Sequence, residues 1–307
     1  MFDIYNIIVD LGHKINYIYI NNLKMKTLLC AVGRLENRYI REWVEYHKKL
    51  GFTNICLCDN NRDGEEYFEE VIGDYIKDGF VILKDYRNKE NFQHECYREC
   101  YFEYESEYDW IAILDVDEFL TFINHSTIDE YLGQEKFNDF DMIHVNWMGY
   151  GDCERLYYED EPVLSRFPFP VQPLNYQTNT IYPSNCQIKS IIRGGRKDKS
   201  KWENTVHTPT PNTMKCCSAS GIECESNAIF NPIDFSEAFI RHYSVKSIDE
   251  YCDKLKRGFA DSKDVDDQKT ERLVGLLSGV FFRSCSFTEE KAKIIENKLK
   301  IKLIRRE

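Results

Sequence analysis

The sequence predicts an α/β fold, a mostly parallel sheet flanked by helices, followed by a loop-rich region and C-terminal helices. Three observations predict it. From Lys26 to about Asn146, short apolar runs alternate with segments whose apolar residues recur at helical spacing. The runs are apolar throughout rather than alternating, as strands covered on both faces are. Each run ends on polar residues, at the place where open α/β sheets gather their ligand-binding side chains.

The elements follow in order. Thr27-Leu28-Leu29-Cys30-Ala31-Val32 reads as a buried strand. Ile40, Trp43, Val44, His47 and Leu50 then recur at helical spacing, and Gly51 stops that helix. Asn54 to Cys58 is the second strand, ending at Asp59-Asn60-Asn61; Asp63-Gly64 supplies turn chemistry before a helix over Glu65 to Asp78. Phe80 to Leu83 is the third strand, residues 91–105 a third helix, and Trp110 to Leu114 a fourth strand that delivers Asp115. Gly33-Arg34, Asp59, Asp85-Tyr86-Arg87 and Asp115 to Asp117 should therefore converge on one crevice. All eight prolines lie after Asn146, so long loops should dominate 150–235 and shape a site. Ser247, with Glu250 three residues on, marks the N-terminus of a further helix by its capping-box pattern.

These elements divide the chain into a leader over 1–25, a catalytic domain over 26–246 with halves 26–122 and 123–246, and a helical segment over 247–307. The chain is long enough for a full core. Its net charge of -12 argues against a nucleic-acid surface, which needs a basic face. The cysteines are scattered, so reduced thiols are expected; Cys56/Cys58 and Cys216/Cys217 with Cys224 lack the twin C-x-x-C spacing of a structural zinc site. No basic N-terminal region and no apolar run of about eighteen residues occurs, so the expected location is cytoplasmic.

The chemistry centres on Asp115-Val116-Asp117. With 52 acids in 307 residues, roughly nine acid-x-acid triplets arise by chance, so context must select this one. It follows five apolar residues and precedes Glu118-Phe119-Leu120, which sets two carboxylates at the mouth of a buried strand. Carboxylate oxygens there suit Mn²⁺ or Mg²⁺, a Lewis acid for the diphosphate leaving group of a nucleotide-sugar. The same triplet after a buried strand occurs in phosphatases of the haloacid-dehalogenase kind, but those want a small hydroxyl residue where this chain has Phe119. A catalytically inactive sugar- or nucleotide-binding module is the other alternative.

Several ordered motifs carry a family resemblance. Glu36 to His47, Leu50-Gly51-Phe52, Asp59-Asn60-Asn61, Asp109 to Ala112 and Asp115 to Leu120 resemble the bacterial glycosyltransferase family 2/family 92-like group. Asn146 to Gly151, Lys189 to Arg193, His242-Tyr243, Lys246-Ser247 and Lys256-Arg257-Gly258 resemble it too. Where the family often has Lys-Asn-Glu after the first strand, this chain has Arg34-Leu35-Glu36-Asn37. The resemblance implies a GT-A fold and sugar transfer; with the cation expected at Asp115 and Asp117, the expected reaction moves a sugar from a nucleotide-sugar, UDP-linked, to a glycan or lipid-linked glycan, with inversion rather than retention as the expected course.

It further implies Asp59 beside the base or ribose, with Arg34, Glu36, Arg87, Gln93, Asp115 and Lys189 completing the donor site. The metal ligands would be Asp115, Asp117 and a late histidine, His207 being preferred over His242. Inversion needs a carboxylate base, for which Asp152 and Glu223 are the candidates. Trp147 and Tyr150 are candidates for stacking on sugar faces, and the loop from Arg193 to Lys199 for closing on phosphates. The basic and apolar alternation from Lys298 to Arg306 reads as an edge strand or a helix end, with peripheral contact with an anionic membrane as the alternative.

Overall fold

In the computed structural model, residues 25–90, 92–171, 183–195, 214–225, 233–258, 285–286 and 288–303 are described. Residues 1–24 of the leader and His207 lie outside them. The first four strands are β1 (Thr27–Gly33), β2 (Asn54–Asp59), β3 (Val81–Asp85) and β4 (Trp110–Ile113). They lie side by side as β3-β2-β1-β4, all parallel. Their side chains alternate between two apolar layers. Leu29, Ala31, Ile55, Leu57, Trp110 and Ala112 pack on one face; Leu28, Cys30, Cys56, Cys58, Ile111 and Ile113 pack on the other. Both faces are dry, which is why the sequence shows unbroken apolar runs.

Helix α1 (Asn37–Leu50) lays Ile40, Trp43 and Val44 on the first face, and α2 (Glu69–Lys77) adds Ile72. Gly51 ends α1 in the left-handed region at φ 102°, its N–H reaching back to the last turn. Residues 65–68, expected to be helical, form the turn before α2 instead, because Glu65 and Glu66 use their carboxylates to accept backbone N–H groups of Arg62 and Asn37. Helix α3 (Gln93–Tyr104) covers the second face with Cys96, Tyr97, Cys100 and Tyr101. One cysteine expectation is corrected there: Cys58 and Cys96 are joined as a disulfide, since β2 and α3 present them to each other.

The sheet continues without a break into the second half of the chain. Beyond β4 come β7 (Ile188–Arg193), β6 (Met142–Gly149), β10 (Ala238–His242) and β5 (Glu118–Phe122), with β8 (Cys216–Ser218) and β9 (Glu223–Cys224) added beside β6. β7 is antiparallel to both β4 and β6, so β6 and β10 run in the same direction as β4. The carboxyl ends of β1, β2, β4, β6 and β10 thus share one edge. Short helices α4 (Ile128–Leu132) and α5 (Val163–Arg166) punctuate the loops.

The capping box expected at Ser247 is present and starts α6 (Ile248–Arg257). Glu250 of that box also accepts two hydrogen bonds from the Arg166 guanidinium, at 2.7 and 3.0 Å, and one from Tyr39 at 2.8 Å. These bonds fix α6 against α1 and α5. Helix α7 (Glu289–Leu299) packs on α6 through Ile294 and Ile295, and Leu299, Ile301 and Leu303 join the same cluster. No helix among the described residues is long and apolar enough to cross a membrane.

Candidate functional site

β4 runs out at Ile113, and the chain turns through Asp115 and Asp117 into β5, whose pairing with β10 brings Glu118 opposite His242. That turn is closed by the Asp115 N–H donating to the Glu118 carboxylate at 2.9 Å. Asp115 is gripped on both oxygens. One accepts from the Tyr97 hydroxyl at 2.7 Å and the Gln93 amide at 2.8 Å; the other lies 2.9 Å from the Lys189 ammonium. Burial alone would raise the Asp115 carboxyl, but Lys189 and the Tyr97 hydrogen bond hold it below the usual carboxylate range. Lys189 reaches it from β7, whose antiparallel run brings Lys189 to the mouth of β4.

Asp117 faces the other way. One oxygen meets the Lys254 ammonium of α6 at 2.6 Å and the other lies 3.7 Å from His242 Nε2. Burial pushes this carboxyl up; Lys254, His242 and Lys246 outweigh it and keep it well below the ordinary range. Burial lowers His242 to about 4, partly opposed by Asp117, so the imidazole is neutral near pH 7. Glu118 is fully buried, and burial raises its carboxyl well above the usual value despite Lys189.

The residues present fit a divalent cation. Asp117, Glu118 and His242 each offer a ligand atom within 4.8 Å of one another, and Glu118 Oε1 is buried with no hydrogen-bond partner. Two carboxylates and a neutral imidazole make a donor set for a cation of the Mn²⁺ or Mg²⁺ class. Of the expected ligands, Asp117 is in this set, Asp115 is held by Lys189, Tyr97 and Gln93, His207 lies outside the described residues, and His242, the other histidine weighed, is set beside the turn by β10.

Two clefts open beside Asp117. One, of about 190 Å³, is lined by Leu35, Glu36, Tyr39, Lys246, Lys254 and Arg257 among others. Its neighbour, of about 380 Å³, shares Leu35, Asp253 and Arg257 and adds Arg34, Arg62, Lys256 and Glu65. Four cations against two carboxylates give this second cleft a positive lining that attracts anions. Glu36 is 5% exposed, pairs with Arg257 and keeps Oε2 without a hydrogen-bond partner. Arg34 holds Glu65 with two bonds, at 2.7 and 3.0 Å, and its carbonyl accepts from Arg257 at 2.6 Å.

Asp59 and Arg87 meet at the end of β2. Asp59 accepts from Arg87 at 2.8 Å and from both the backbone and the side chain of Asn61, and Arg87 lies under the Tyr67 ring. Asn61 in turn accepts from the Leu35 N–H at 2.8 Å, so Asp59 braces the loop that lines the clefts. Gly33, level with Asp59 in the β1–β2 register, has no room for a side chain, since a Cβ there would sit 2.8 Å from Phe68.

Other expected residues land elsewhere. Glu223 stands on β9, in register through β8, β6 and β7 with Ala112. Four strand spacings separate them, roughly 19 Å, so it is out of reach of chemistry at Asp115. Asp152 lies beyond the correct end of β6 but is 2% exposed, with its carboxylate 2.7 Å from Lys291 of α7. It ties the C-terminal helix to the domain. Arg193 begins the basic loop at the amino end of β4, opposite Trp110, where its guanidinium stacks on that ring. The start of the loop therefore faces away from the clefts, and residues 196–199 lie outside the described residues. Gly194 is required there, because a Cβ would fall 1.9 Å from the Tyr108 carbonyl. Trp147 packs on the His242 ring and Tyr150 on Tyr243, both in the core.

Sequence reasoning missed Lys254 and Tyr97 and gave no role to Lys246 or Arg257. The signal for Lys254 and Arg257 was available: both follow Glu250 at i+4 and i+7, on the face that the capping box directs inward.

A profile of glycosyltransferase family 92 matches residues 30–274. The chain is 26% identical over 104 residues to a glycosyltransferase family 92 protein of Oryza sativa subsp. japonica, covering 34% of this chain and 18% of that protein. It is 24% identical over 272 residues to a galactan beta-1,4-galactosyltransferase of Arabidopsis thaliana, covering 85% of this chain and 47% of that protein. The chain thus spans less than half the length of these curated relatives. Among solved structures, S. aureus TarS residues 1–349 in complex with UDP-GlcNAc gives a TM-score of 0.41 at 11% identity, covering 90% of this chain and 80% of that one.

Proposed function

The chain belongs to glycosyltransferase family 92, and from that premise we propose that it transfers a sugar from a nucleoside-diphosphate sugar, UDP-linked, to a glycan or lipid-linked glycan, with inversion. The observation that carries this reading is the convergence at one sheet edge of the Asp117, Glu118 and His242 donor set with the cationic clefts under α6. The GT-A description of the fold rests on the same premise.

Asp117, Glu118 and His242 would hold a Mn²⁺ or Mg²⁺ ion. Bound there, the ion supplies Lewis-acid neutralisation of the departing diphosphate. Lys246, Lys254 and Arg257 line the wall where the phosphates would rest and offer N–H donors to their oxygens. Tyr97, Gln93 and Lys189 fix the Asp115 carboxylate in one orientation, which suits it to a sugar hydroxyl better than to a mobile ligand. Asp59 and Arg87 position the cleft wall rather than reach the donor. For the acceptor's proton the reading assigns neither Glu223, excluded by distance, nor Asp152, which is turned to Lys291. Contact with a membrane bearing a lipid-linked acceptor would fall to the exposed Lys300 and Lys302, because the apolar residues between and beside them pack on α6 and α7.

The test is a thermal-shift titration of nucleotide-sugars with Mn²⁺ and with EDTA, since a ligand of the native state raises its melting temperature. A uridine diphosphate sugar should stabilise the chain with Mn²⁺, and Asp117→Asn should abolish that shift while the variant stays folded. No response to any nucleotide-sugar with either cation, in folded protein, would sink the reading.

A further inference from the structure

The narrower cleft holds two polar groups that the fold leaves unsatisfied. Glu36, the residue before α1, meets Arg257 through Oε1 at 2.5 Å, while its Oε2 is buried with no hydrogen-bond partner. Lys246 lines the same cleft and is 6% exposed. Among the described residues its ammonium makes no hydrogen bond or ion pair; it rests over the Tyr39 ring, 4.2 Å from the centre. The other acids of the lining and Lys254 are committed. Glu66 accepts from the Asn37 N–H at 2.8 Å, Glu250 holds Arg166, Asp253 lies 3.0 Å from Lys298, and Lys254 meets Asp117. Leu35 and Lys246 both lie in the left-handed region, at φ 55° and 57°, a conformation that a residue with a side chain keeps only where its surroundings impose it.

We infer that Glu36 Oε2 accepts a hydrogen bond from a ribose hydroxyl of the nucleotide-sugar, with Lys246 on the adjoining phosphate, so that the pair selects a ribonucleotide over a deoxyribonucleotide. The inference rests on the reading above and puts the nucleoside end of the nucleotide-sugar in the 190 Å³ cleft. A buried carboxylate oxygen and a buried ammonium without partners are each costly until a ligand completes them. Arg257 already balances the Glu36 charge, so Oε2 calls for a neutral hydrogen-bond donor, and a hydroxyl is the smallest one. An ammonium calls for an anion, which the nucleotide carries as phosphate. The ribose is where a nucleoside diphosphate sets hydroxyls beside a phosphate.

The fold closes two alternatives. The transferred sugar also has hydroxyls near a phosphate, but the strand order β2-β1-β4-β7 puts Glu36, after β1, on one side of the Asp117 turn and Lys189 of β7, which orients Asp115, on the other. Asp115 is therefore the carboxylate for the sugar, and Glu36 the one for the ribose. Asp59, expected beside the base or ribose, is closed to both by Arg87 at 2.8 Å and by Asn61. Recognition of the ribose passes to the acid that the β1–α1 loop carries into the cleft. The sequence hid the difference, because Asp59 and Glu36 both follow strands and only the side-chain pairing shows which one keeps an unpartnered oxygen.

The experiment titrates the full chain with UDP, 2′-deoxy-UDP and 3′-deoxy-UDP in the presence of Mn²⁺ and reads each affinity by calorimetry. The wild type should bind UDP roughly tenfold or more tightly than at least one of the two deoxy analogues, a readout that does not depend on any variant folding. Glu36→Ala should shrink that ratio to about twofold or less by weakening UDP most; a merely structural Glu36 would weaken all three nucleotides alike and keep the ratio. Lys246→Met should narrow the gap in affinity between UDP and uridine. Equal affinity of the wild type for UDP and both analogues, an undiminished ratio in folded Glu36→Ala, or an unchanged gap in folded Lys246→Met would overturn the inference. Failure of UDP itself to bind is a different result, since it removes the reading of the site as a nucleotide-sugar site and the inference with it.

Discussion

The Lys254 ammonium lies 2.6 Å from the Asp117 carboxylate, at the position a divalent cation would contest. The pair is largely buried, which makes the contest matter more than at an exposed bridge. Removing the ammonium with Lys254→Gln should raise the affinity for Mn²⁺ in the absence of donor by about tenfold, the equivalent of ~1.4 kcal/mol. The same variant should bind UDP more weakly, because a wall cation is gone. Isothermal titration of each ligand separately reads both effects. Unchanged Mn²⁺ affinity would mean that lysine and cation use different oxygens of Asp117 and do not compete.

Much of this site was legible in the sequence, and the limits have physical causes. Asp115 and Asp117 stood out because β4 is apolar up to the residue where it ends, and Gly51 and the Ser247–Glu250 box mark their helix ends by local chemistry alone. Lys189 and His242 take their places through pairings across long sequence separations, β7 against β4 and β10 against β5, which no local pattern encodes. Glu223 illustrates the converse. A polar loop acid looks available in one dimension, yet the register carries it to the wrong end of the sheet. Tyr97 went unread because an aromatic residue on a helix reads as core, and here its ring is core while its hydroxyl serves Asp115.

Arg166 and Glu250 form an ion pair whose side chains are 0% and 2% exposed, with Tyr39 and Ser247 completing the carboxylate's bonds. Breaking such a pair from one side strands a buried charge, so Arg166→Met should cost about 3–5 kcal/mol in urea unfolding. Adding Glu250→Gln to that variant should cost far less than Glu250→Gln alone, because the two changes remove one interaction. Strictly additive costs would show that each residue stabilises α6 independently.

The pH dependence of stability follows from the buried histidines. His47 is fully buried between Trp43, whose carbonyl its Nδ1 meets at 2.9 Å, and the Leu120 N–H. Burial, partly offset by that carbonyl, lowers its pKa from 6.5 to about 3, and burial lowers His144 to about 4. The unfolded chain therefore binds more protons than the folded one between those values and 6.5, so stability is full above 6.5 and is lost as pH falls. Each such histidine contributes up to about 1.4 kcal/mol per pH unit in that window. Glu250, whose carboxyl burial raises but Arg166 and Ser247 bring below the ordinary range, has the same sign, but its contribution begins only below 4.5. Between pH 4.5 and 6.5 the slope is thus set by His47, His144 and His242 against Glu118, whose raised carboxyl has the opposite sign, and comparing a histidine variant with the wild type isolates its share. His47→Gln should flatten that slope by as much as one histidine's share while lowering stability at neutral pH. An unchanged slope in the folded variant would show that His47 titrates alike in both states, against its burial.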